Sequence, residues 1–133
     1  MITKVSGIRV SERVFSILDE FLQYETSNGH KLYAYLQTFY NCREQGYYLT
    51  VADDDLDNPN RVQENLYIFV CEARSSDNIL VVIQTEYPDG HYSEDAWNNK
   101  DKFNNTNYFG YDEEHKAADF IYKKIKEFLK LGD

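Results

Sequence analysis

Hydrophobic and polar positions along the chain change period several times, and each change marks an element. Val14, Phe15, Leu18, Phe21 and Leu22 recur at helical spacing after Ser11, a good N-cap residue, which predicts a helix over about 12–24. Thr-Ser-Asn-Gly at 26–29 then breaks the pattern. The stretch KLYAYLQTFYNCREQG fits two periods. Leu32, Leu36, Phe39 and Arg43 share a helical face ahead of Gly46, while Leu32, Ala34, Leu36 and Thr38 alternate. Its length without a breaker favours a second helix over 32–45. Three strands follow: YYLTVA (47–52), LYIFVCEA (66–73) and ILVVIQTE (79–86), the last two joined by a short hairpin connection at 74–78. Residues 79–83 are apolar without alternation, as in a strand buried on both faces or central in its sheet.

After the turn at 87–90, residues 91–111 show no sustained period and read as one long, aromatic-rich connection. The final element is a helix. Ala117, Ile121, Ile125, Phe128 and Leu129 form its apolar face. Asp112, Glu113 and Glu114 stand at its start, and Lys123, Lys124, Lys126 and Lys130 lie toward its end, as the helix dipole favours. The opening ITKVSGIRV could add an edge strand. The expected fold is α+β: an antiparallel three- to four-stranded sheet with N-terminal helices and a C-terminal helix packed on it. Residues 1–133 are expected to form a single domain.

Composition changes this picture in two ways. The apolar share of 42% suffices for a core, and the aromatic part of it is rich in twelve Tyr and eight Phe. The net charge of −9 is unevenly spread. Residues 1–50 carry five acids and five bases, residues 51–115 fifteen acids and four bases, and residues 116–133 three acids and five bases. The middle segment at −11 therefore holds all the excess, and such a field repels nucleic acid and attracts basic surfaces. Direct nucleic-acid binding and membrane insertion are not expected, and no apolar leader is apparent. The expected location is the cytoplasm, with Cys42 and Cys71 as reduced thiols. Asn104-Asn105-Thr106 matches a glycosylation acceptor, which matters only in a secreted chain.

The chemical candidates are few. Asp53, Asp55, Asp57 and Glu64 take positions one, three, five and twelve of a calcium-loop pattern. Asn58 replaces the glycine of position six, Asn60 the apolar residue of position eight, and a strand precedes the loop where an entering helix belongs. The weak metal candidate is therefore read as a polar turn, with no cofactor expected. His30, His91 and His115 show no metal-ligand spacing, and nothing local activates Cys42. Acid pairs such as Glu94–Asp95 and Asp112–Glu113–Glu114 are what so acidic a segment produces by chance. No catalytic motif is present.

Aromatic residues alternate with acids across 86–115, the usual components of a surface for a basic partner. Trp97, with polar neighbours, is the candidate exposed anchor, and the competing reading has the rings pinning a long loop to the sheet. The partner-binding set is Asp53, Asp54, Asp55, Asp57, Tyr92, Glu94, Asp95, Trp97 and Tyr108. The expected function is a small acidic binding or regulatory protein without catalysis, one version being an inhibitor that occupies the basic surface of a nucleic-acid-binding protein. In composition alone the chain is similar to small acidic antirestriction and anti-CRISPR proteins. The alternatives are a metal-dependent protein or enzyme built on the 53–64 loop, and a structural subunit of a larger assembly. Oligomeric state is not set by the sequence.

Overall fold

The computed structural model describes residues 9–25, 31–37, 46–53, 57, 59, 63–73, 78–87 and 103–129. The elements are α1 (Arg9–Glu25), β1 (Lys31–Gln37), β2 (Gly46–Ala52), β3 (Asn65–Glu72), β4 (Asn78–Glu86), β5 (Asn105–Gly110) and α2 (Glu114–Phe128). The five strands form one antiparallel sheet in the order β1-β2-β3-β4-β5. The α+β class, the antiparallel sheet and the terminal helices packed on it are as the periodicity predicts.

Two segments differ from expectation. Lys31–Gln37 is a strand and not part of the helix that unbroken length predicts over 32–45. Its alternation and its tyrosines match a pleated surface, and pairing with β2 over seven positions outweighs the helical spacing. Residues 38–45 lie outside the described residues, as does the opening segment 1–8. The second difference is β5, formed inside the expected long connection. Asn105 to Gly110 carries no strong hydrophobic alternation, so its strand character comes from the ladder with β4. The N-terminal helix also starts earlier than Ser11, at Arg9, so Ser11 lies inside it.

Register shows how the core is built. Tyr47, Val70, Val81 and Asn107 face one another across β2 to β5, as do Leu49, Ile68, Ile83 and Asn105, and partners in a ladder share a face. The apolar members of these rows are buried with Val14, Phe15 and Leu18 of α1 and Ala117, Ala118, Ile121, Ile125 and Phe128 of α2. Both helices therefore cover this face, α1 over β2 and β3 and α2 over β3 to β5. Phe15 meets Tyr47 edge-on at 5.5 Å, and burial pushes the Tyr47 phenol up to about 12, helped by the charge of Glu12. Ile79, Leu80 and Val81 are buried in succession. Leu80 points the other way, into a small second cluster with Cys71 and Ala73, which is why the strand lacks alternation.

Cys71 is disulfide-bonded, which corrects the expectation of a thiol. Separation along the sequence does not set separation in space, so the missing CxxC pair excluded nothing. The other cysteine, Cys42, lies outside the described residues. No described helix is long and apolar enough to cross a membrane.

Candidate functional site

The 53–64 connection joins β2 to β3, whose pairing holds through Val51 and Leu66. It lies between two strands, so the helix–loop–helix frame of an EF-hand is missing on both sides. Asp53 is buried directly after β2, Asp57 is exposed and Glu64 is half-buried. Among the described residues no group of three His, Cys, Asp or Glu side chains could hold a metal ion. Asp54, Asp55, Tyr92, Glu94, Asp95 and Trp97 lie outside the described residues.

Tyr108 is described, and among the described residues it is the most exposed large ring, at 59%. It sits on β5 opposite Leu80, which pairs in turn with Cys71. Asp53, Glu64 and Glu86 lie at the other end of the sheet. Leu80 and Glu86 stand six positions apart on β4, about 20 Å along a strand. The described part of the partner-binding set thus falls in two places. Two other rings of 86–115 are pinned inward, Phe109 on Phe120 at 5.5 Å and Phe103 on Phe128 at 5.4 Å, while Tyr87 and Tyr111 are exposed. Tyr108 escapes this because alternation along β5 turns it to the opposite face from Phe109.

The face of the sheet turned away from the helices is the first candidate surface. Register places Tyr48, Phe69, Val82 and Thr106 in one row of it, and Thr50, Tyr67 and Gln84 in the next. Tyr48 lies 5.1 Å from Phe69 and 6.1 Å from Tyr67, a cluster of half-buried rings on adjacent strands. Gln84 donates to Glu86 at 3.3 Å, and burial raises the Glu86 carboxyl above its ordinary value. This face thus combines rings, uncharged polar groups and an acidic end. Sequence reasoning passed over Tyr48, Tyr67 and Phe69. Their signal was present, since they alternate with the inward Leu49, Leu66, Ile68 and Val70.

A second candidate is the cleft of about 580 Å³ lined by Glu12, Arg13, Ser16, Ile17, Glu114 and His115. Arg13 meets Glu114, and Phe21 stacks on Tyr122 at 5.0 Å. The equal steps along both helices show that α1 and α2 run side by side in the same direction. Their positive dipole ends therefore meet here, and Glu12 and Glu114 in the first turns offset them. Two ion pairs close the cleft. Arg13 Nε donates to Glu114 Oε1 at 2.5 Å, and its guanidinium lies 5.5 Å from the Tyr111 ring centre. Lys116 Nζ donates to Glu113 Oε2 at 2.6 Å, while Glu113 Oε1 accepts from the Gly110 N–H. The Ser16 hydroxyl donates to the Glu12 carbonyl at 2.7 Å, which is the wrong partner for an activated nucleophile. The cleft reads as a helix-end clamp.

The glycosylation acceptor is closed by its packing. Asn104 is 3% exposed; its Oδ1 accepts from the Thr85 N–H at 3.0 Å and its Nδ2 donates to Thr85 Oγ1 at 2.9 Å. No protein-family model matches the chain, and neither a curated protein nor a solved structure is similar to it.

Proposed function

We propose that this chain is a non-catalytic binding protein whose partner is a protein with a basic surface. One observation carries the reading: residues 51–115 hold a net charge of −11, while four lysines of the basic tail lie on α2. Long-range attraction would steer the partner, and desolvated rings such as Tyr108 would then hold it. A nucleic-acid-binding protein is the partner class that fits, because an acidic surface competes for the same groove as a phosphate backbone. The bonded Cys71 bears on location. A reducing cytoplasm keeps thiols free, so the disulfide fits an oxidising compartment better than the cytoplasmic one expected from composition. Titration of free thiols in protein from its native source separates the two.

The test is affinity capture followed by a salt series. The captured protein should bind nucleic acid, be displaced from it by this chain, and be released as salt rises. Capture that ignores salt, or that leaves nucleic acid in place, overturns the reading.

A further inference from the structure

We infer that the outer edge of β5 accepts an extended, basic segment of the partner as a sixth strand. This rests on the reading above and names its docking mode. β5 lies at the end of the sheet with β4 on one side, and no described strand pairs with the other. Edge strands of folded proteins are normally guarded by charges, proline or a bulge, because their open N–H and C=O groups recruit other chains. Asn-Thr-Asn-Tyr-Phe-Gly has no charge and no proline, its ladder with β4 runs without interruption from Asn78↔Gly110 to Ile83↔Asn105, and its Gly110 end is closed by the Glu113 carboxylate and N–H, which leaves Thr106 and Tyr108 to receive a strand. The two side chains that β5 turns away from the helices, Thr106 and Tyr108, are both exposed. An added strand would place one residue beside each of them, and a Tyr ring favours a β-branched or cationic neighbour.

Charge selects the occupant. A second copy would bring −9 against −9. An extended segment that alternates β-branched residues with Lys or Arg satisfies both the backbone edge and the acidic field. Strand addition of this kind draws affinity from main-chain hydrogen bonds and specificity from alternate side chains.

The probe is a heptapeptide of alternating Lys and Val, compared with the same peptide N-methylated at every backbone amide. The full chain is titrated at low salt and followed by amide hydrogen exchange. Exchange across residues 106–108 should slow with the plain peptide. N-methylation should weaken binding at least tenfold, and Tyr108→Lys, a surface change checked for folding by circular dichroism, should weaken it similarly. Equal binding of the two peptides with strong salt dependence leaves the charge-driven partner intact and overturns strand addition. No binding, or protection confined to other strands, overturns it as well. So does a dimer in sedimentation that Tyr108→Lys dissolves, since the occupant would then be a second copy.

Discussion

The two faces of the sheet are built from the same strands, yet they obey different rules. On the helix-covered face, β2, β3 and β4 present Leu49, Ile68, Ile83 and their neighbours, nearly all with no exposed surface. On the other face the same strands present Tyr48, Tyr67, Phe69 and Gln84, half-buried and partly polar, beside the buried Thr50, Cys71 and Leu80. The first face has one solution, because close packing against two helices leaves no room for a methylene more or less. The second leaves room for polar tips and for a partner. The comparison suggests that substitutions should divide by face: folding energy on one, recognition on the other.

The sharpest way to break that division is Ile68→Ala, at the centre of the covered face. It should cost about 2–5 kcal/mol in urea unfolding, since both the transfer term and the cavity count. Tyr67→Ala on the adjacent position of the same strand should cost about 1 kcal/mol or less. If the two losses are equal, the open face is a second core and the comparison fails.

Next in size is Asn104→Ala. It removes two buried hydrogen bonds to Thr85 and should lower stability by about 1–3 kcal/mol in the same assay. A change within error would mean that the link between Thr85 and the start of β5 is dispensable.

Tyr108→Ser should shift stability by no more than about 0.5 kcal/mol, because the ring is exposed on an edge strand. It should nevertheless weaken partner capture. A large loss of thermal stability would show that Tyr108 belongs to folding.

The smallest effect concerns pH. Burial alone would raise the Glu114 carboxyl, but the hydrogen bond and charge of Arg13 outweigh it and hold it below its ordinary value. A carboxylate with a lowered folded-state value stabilises above its unfolded value and loses that contribution as pH falls through the folded one. Arg13 is 42% exposed, so solvent screens the pair and its worth is about 0.2–1 kcal/mol. Glu114→Gln should therefore make stability slightly less sensitive to acid in pH-dependent melting. An unchanged acid limb would show that the clamp carries no measurable energy.

The sequence by itself determined the helices at both ends, the three strands with strong apolar patterns, and the concentration of acid in the middle of the chain. Val14, Phe15, Leu18, Ile121 and Ile125 are core residues because helical spacing puts them on one stripe, and no partner is needed to see it. Only tertiary structure decided the two edge strands. Lys31–Gln37 has helical and strand readings in its own residues, and β2 selects one. Asn105–Gly110 has almost no local signal, and β4 makes it a strand. Tertiary structure also decided which aromatics remain available. Phe103 and Phe109 turn inward onto α2 while Tyr108 turns outward, and it separated Tyr108 from the Asp53–Glu64 end of the sheet. It paired Cys71 as well. These outcomes depend on contacts between residues far apart in the chain, and a pattern read over neighbouring positions carries no information about them.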